Sequence, residues 1–165
     1  MSNAAAWVLN INESLHVSVS QLELVHIINE PYYIKVPGAP DYCNKIIIWN
    51  DNILPVVNIA NLAGNHGSAS RYNVVAVIIY RDHDEQVHYG GISLISSPEL
   101  EYVNNSHVCT LPDLSYLLQE TSLSCFTCKK GRKIPIIDSS RLFSREYTQN
   151  IIREHARNQM INNET

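Results

Sequence analysis

Apolar residues alternate with polar ones along most of this chain, with the two-residue period of half-buried strands. Trp7, Leu9 and Ile11 alternate within Ala6–Ile11, and Leu15, Val17 and Val19 alternate beyond the turn Asn12-Glu13-Ser14. A helical spacing, Leu22 to Val25 and Leu24 to Ile28, predicts a short helical turn over Gln21–Val25, capped by Ser18 or Ser20. The segment from Ile28 to Gly64 then reads as strand, rigid turn, strand, polar turn, strand. Pro37, Gly38 and Pro40 suit a compact turn, because proline presets φ and glycine accepts positive φ. Asn44–Trp49 is expected to be a strand buried on both faces, since Ile46, Ile47 and Ile48 are consecutively apolar. Asn50-Asp51-Asn52 reverses the chain, and Ile53–Ile59 returns. Pro55 inside that return argues for a sheet edge or a bulge.

The second half repeats the style. Asn65–Tyr72 is a polar connector, and Asn73–Tyr80 is dense in β-branched residues. Arg81-Asp82-His83-Asp84-Glu85 makes a charged hairpin tip before a return strand, Gln86–Ile95, whose Gly90-Gly91 predicts a bulge or a close backbone approach. Ser96–Asn105 leads to a strand pair expected within Val103–Thr110, and Asp113–Glu120 to a short helix with Leu114, Leu117 and Leu118 on one side. Lys133-Ile134-Pro135-Ile136-Ile137-Asp138 echoes Ile53-Leu54-Pro55-Val56-Val57-Asn58, so apolar-Pro-apolar-apolar-Asx occurs twice and favours two related β modules. From Ser144 the pattern becomes helical, with a partial apolar stripe of Tyr147, Ile151, Ile152, His155 and Met160. That stripe suits docking on its own domain better than on a partner.

The turn and hairpin of residues 37–64 carry a resemblance. Pro37, Gly38, Pro40, Tyr42, Pro55, Val56, Val57, Leu62 and Gly64 match the signature of CheW-like domains, adaptor modules that couple chemoreceptors to a histidine kinase. There are departures. Lys45 stands where the family usually has Gly, Asn50-Asp51 replaces an Arg-Gly turn, and Asn58 replaces Asp. Trp49 in place of Leu is more like the ChpC/PilI-type branch of type IV pilus chemosensory systems.

The resemblance implies an all-β fold: two packed five-stranded SH3-like barrels with short helices and a C-terminal helix. Residues 1–143 would be the CheW-like domain, with subdomains of roughly 15–70 and 71–143 that exchange strands, and 144–165 the C-terminal helix and tail. It implies a non-enzymatic, divergent or accessory adaptor, without cofactor, between a CheA-type histidine kinase and a chemoreceptor or pilus-system receptor. A groove between the barrels would take a receptor's helical tip, and the open end of the first barrel would meet the kinase. Pro37, Gly38, Pro40, Trp49, Asn50 and Asp51 are the partner-binding candidates it implies. Because Asn cannot copy the planar donor fork of Arg, the Asn50-Asp51 turn implies altered partner choice.

Composition narrows the alternatives. The net charge of −4 gives no electrostatic reason to expect nucleic acid or an anionic membrane as partner. No apolar run is long enough for a membrane span, and the first residues lack the basic start of a secretory signal. Four unevenly spaced cysteines demand no disulfide framework and suit a reducing, cytoplasmic compartment.

Candidate chemistry is thin. Cys125 and Cys128 form a C-x-x-C that with His107 and Cys109 would complete a zinc-type ligand set, although His-x-Cys is not a usual knuckle. A small zinc-binding or redox protein is therefore one alternative, and a general β-barrel peptide-interaction module another. Asp82, His83, Asp84, Glu85 and His88 could ligate a metal or shuttle protons, but such clusters at hairpin tips are usually solvated faces. No serine sits in a G-x-S-x-G elbow, and no Gly-rich phosphate loop precedes a helix.

Overall fold

The computed structural model describes residues 3–64, 71–144, 157, 158 and 160–163. Eleven strands are seen among them: β1 (Ala4–Asn10), β2 (His16–Ser20), β3 (Leu24–Asn29), β4 (Ile34–Lys35), β5 (Lys45–Trp49), β6 (Asn52–Val57), β7 (Val74–Arg81), β8 (Val87–Leu94), β9 (Glu99–Val103), β10 (Ser122–Thr127) and β11 (Lys133–Ile137). Three short helices join them: α1 (Ile59–Leu62), α2 (Tyr116–Glu120) and α3 (Ser139–Leu142).

The strands form two sheets, ordered β10-β11-β2-β1-β9 and β3-β7-β8-β6-β5-β4. Neither order closes on itself among the described residues, so the expected barrels are seen as a five-stranded and a six-stranded sheet. The two sheets follow one plan. Each has an antiparallel hairpin (β1-β2 or β7-β8) whose second strand runs parallel to the second strand of another hairpin (β10-β11 or β5-β6). The strand that follows each first hairpin crosses over. After β2 the chain supplies β3 to the other sheet, and after β8 it supplies β9 back. In sequence, residue 70 lies between β6 and β7, which both belong to the six-stranded sheet.

The repeated Asx motif marks where the second strand of each parallel seam ends. Asn58 ends β6 and accepts the Asn61 N–H at 3.1 Å, starting α1; Asp138 ends β11 and accepts the Arg141 N–H at 3.3 Å, starting α3. Each side chain occupies a helix donor that the first turn leaves open, which is why the second strand stops there. The expected return strand Ile53–Ile59 accordingly ends at Val57.

Burial follows the period of two. In β7, Val74, Ala76 and Ile78 enter a central core with Leu9, Val17, Ile92, Leu118 and Leu142, while Val75 and Val77 enter a second core with Ile47, Leu54 and Val56. A strand with a core on each face needs an unbroken apolar run, and that is what residues 74–79 supply. A third core, under the other sheet, holds Ala6, Val8, Phe126, Cys128 and Ile134.

Several local expectations change. Gln21–Val25 is a turn followed by a strand. Glu23 accepts the Ser20 N–H at 2.9 Å in a capping-box contact, but Leu24, His26, Ile27 and Ile28 pair onto β7, with the register shifting at Val25, instead of winding on. Ile46–Ile48 is not buried on both faces: Ile47 is 2% exposed and Ile48 64%. Pro55 lies in a strand paired on both sides with no bulge against β5; the ladder to β8 begins one residue later, at Val56, so the missing N–H interrupts no pairing there. At Gly90-Gly91 the register with β7 is unbroken, and the alternative of close approach holds. The strand after β8 is Glu99–Val103, followed by a 3-10 turn at Asn105–His107, and only Val108 bridges onward, to Phe126. Strand β10 is an addition to the sequence reading. The expected helix from Ser144 lies almost entirely outside the described residues; those at 157, 158 and 160–163 are helical.

Candidate partner-docking surface

The Pro-Gly turn is tied at both ends. Val36 N–H donates to Asn44 O at 2.7 Å, Cys43 N–H donates to Pro40 O at 3.0 Å, and Gly38 takes the left-handed φ of +79° that the turn requires. At the other end of β5 the chain reverses through Asn50 and Asp51, with φ of 51° and 60° between the paired residues Trp49 and Asn52. Two consecutive positive φ values make this a two-residue turn of the I′ class, for which Asn and Asp are among the few suitable non-glycine residues. The six candidate residues thus form two groups. Pro37, Gly38 and Pro40 are separated from Trp49, Asn50 and Asp51 by the length of β5, about 15 Å at 3.3 Å per residue.

Trp49 faces inward. Its ring stacks on His26 at 5.8 Å and tilts against Tyr89 at 5.4 Å, at the margin of the core of Ile47, Leu54 and Val56. The ring is partly buried against that core.

The outward face of the hairpin carries residues that sequence reasoning missed. Ile48 and Ile53 are cross-strand partners, 64% and 69% exposed. The other hairpin supplies an internal control. Aligning Pro55 with Pro135 pairs the registers strand for strand, Ile46 with Cys125, Ile47 with Phe126, Ile48 with Thr127 and Ile53 with Lys133. Where the first hairpin shows two isoleucines, its twin shows threonine opposite lysine, the polar choice that a solvent-facing pair permits. The fold therefore does not require isoleucine at these positions. The signal was present in the sequence repeat, which sets Ile53 against Lys133.

Next to this face lies an apolar groove of about 280 Å³ between the Pro-Gly turn, the hairpin and α3, lined by Val36, Tyr42, Ile46, Pro55, Leu142 and Phe143 among others.

The polar candidates have structural employment. Asp82 accepts the Asp84 and Gln86 N–H groups at 2.9 Å each and lies 2.7 Å from His88 Nε2. The His88 contact first, then the Gln86 amide, holds its carboxyl below the usual range. This network shapes the β7-β8 hairpin tip. His107 Nδ1 accepts the Asn104 N–H at 3.1 Å, which spends that nitrogen on the 3-10 turn. Cys128 packs in the core under Phe126, while Cys109 and Cys125 face each other across a ladder step. Among the described residues no three His, Cys, Asp or Glu side chains gather as a metal-ligand set.

No protein-family model matches the chain, and no curated protein matches it in sequence. In three dimensions the chain is similar to the crystal structure of the scaffolding protein TtCheW from Thermoanaerobacter tengcongensis. The TM-score is 0.70 at 14% identity, over 89% of this chain and 92% of that one. The fold is CheW-like. At so low an identity the shared feature is the arrangement of strands. Within this CheW-like frame the exposed isoleucine pair and the groove belong to the hairpin whose residues carry the sequence resemblance. No helix among the described residues is long and apolar enough to cross a membrane.

Proposed function

We propose that this chain is a non-enzymatic adaptor that couples a receptor complex to a CheA-type histidine kinase, acting in the cytoplasm. The observation that carries the reading is the Ile48–Ile53 pair, apolar and exposed where the twin hairpin is polar. Contiguous exposed apolar surface of this kind marks interaction sites. In this reading the hairpin face, with the Asn50-Asp51 tip at its end, meets the kinase. The groove bounded by Val36, Tyr42 and the end of α3 takes a receptor helix, as an apolar groove suits a helix presenting residues at i, i+3 and i+4. Holding both partners on one rigid body raises their effective concentration for each other, and no bond-making by the adaptor is needed.

Two finer points belong to the same proposal. The Asn50-Asp51 turn lacks an arginine fork and redirects partner choice, which makes this a divergent adaptor. Trp49 supports a place beside type IV pilus chemosensory systems. The test is affinity purification of the intact chain from its native cell. Recovery of a CheA-type kinase together with a receptor or pilus-signalling protein supports the reading, and their absence from a stable, folded bait overturns it.

A further inference from the structure

Cys109 and Cys125 stand opposite one another at an isolated ladder step. Val108 bridges Phe126, and at the next step Cys109 N–H donates to Cys125 O at 3.0 Å. Residues that face each other at such a step have Cα atoms about 5.5 Å apart, within the range of about 4.4–6.8 Å that a disulfide spans. In the twin sheet the same step sets Ile34 opposite Ile46, a plain apolar pair. The fold accepts hydrocarbon there, so sulfur on both sides is a property of this chain rather than of the architecture.

The two cysteines differ in access. Cys109 is partly exposed and Cys125 is buried. We propose that Cys109 and Cys125 form a disulfide by exchange with a low-molecular-weight disulfide such as oxidised glutathione. The thiolate of Cys109 attacks one sulfur of the oxidant and expels one glutathione thiolate, leaving a mixed disulfide on Cys109. The thiolate of Cys125 then attacks the Cys109 sulfur and expels the second glutathione. Two protein thiols are oxidised, one disulfide is reduced, and the two protons lost by the protein thiols pass through water to the expelled glutathione thiolates, giving two glutathione thiols.

Burial, and then the neighbouring Cys109, push the Cys125 thiol up to about 12. Little Cys125 thiolate exists at neutral pH, so the closing step is the slow one. The bond encloses α2 in a covalent loop and fixes the segment after the 3-10 turn against β10. It thereby restricts the unfolded chain and raises thermal stability.

The experiment treats the full chain with oxidised glutathione and follows it by intact mass and non-reducing peptide mapping. The expected product links Cys109 to Cys125, melts about 5 °C or more above the reduced protein, and closes about tenfold faster per pH unit from about pH 7 to 9. Cys125→Ser should stop at the mixed disulfide on Cys109, and Cys109→Ser should form no internal bond. Reduced forms of both variants are melted alongside to show that they fold. A bond to Cys43 or Cys128 instead, or a wild type that stays as the mixed disulfide at high pH, overturns the proposal.

Discussion

The ring of Phe143 stands over Gly90, and a Cβ placed on Gly90 would come within 2.6 Å of Phe143 Cδ1 and Cζ. Phe143 also stacks on Tyr80 at 4.8 Å with the planes 14° apart, so it cannot simply swing aside. The glycine thus makes room for the aromatic that pins the end of α3 onto β7-β8. Gly90→Ala should destabilise the protein by about 1–3 kcal/mol, the range for overpacking. Phe143→Leu in the same background should return at least half of the loss, because the cost lies in the clash. Urea unfolding of the two single variants and the double variant measures both; additive losses would sink the explanation.

That pair also shows how far the sequence could be read. The glycine pair announced a close approach, but only the fold says that the approaching group is an aromatic more than fifty positions away in sequence. The strands with clear alternation, and β7 with its unbroken apolar run, were legible because their faces are set by the period of two. The Asx repeat was legible too, since it recurs as a strand end and helix cap in both halves. What was illegible was long-range. The exchange of β3 and β9 is decided by which edge is free. Glu23 favours a helix start that pairing with β7 overrides, and β10, with Ser122 and Ser124 against a buried Cys125, shows little alternation. In the candidate site, three consecutive isoleucines look doubly buried, and only the twin hairpin reveals that one of them is on display.

The hairpin tip supports a stability prediction. Asn50 and Asp51 both hold positive φ, and glycine is the residue that meets that condition without steric cost at the second position. Asp51→Gly should therefore raise stability by about 0.5–1 kcal/mol. A thermal or urea melt decides; a loss of stability would mean that the Asp51 side chain does more than tolerate the turn.

His16 ties stability to pH. Burial first, and then the Arg132 guanidinium, lower its pKa from the ordinary 6.5, and Arg132 Nη1 lies 2.9 Å from its Nε2. The folded state thus binds this proton less readily than the unfolded chain does. The contribution is fully present above about pH 6.5 and is lost as pH falls through the lowered value. His16→Gln should reduce the fall in melting temperature between about pH 7.5 and 5.5 relative to wild type. An unchanged fall would place the acid sensitivity elsewhere.

The short helices should respond to their caps. Asn58→Ala and Asp138→Ala each remove a side-chain acceptor from a first-turn N–H and should cost about 1 kcal/mol apiece. Losses of similar size at the two sites, by urea unfolding, would support the equivalence of the two halves, and a silent Asn58→Ala would count against it.

The central claim is that the first hairpin displays an apolar pair for a partner rather than for the fold. Its direct test gives that hairpin the residues of its twin, Ile48→Thr with Ile53→Lys, and titrates the variant against the adaptor-binding domain of a CheA-type kinase by calorimetry. The account predicts a melting temperature close to wild type and an affinity at least tenfold weaker, a loss of about 1.4 kcal/mol or more. Unchanged affinity in a folded variant would contradict it.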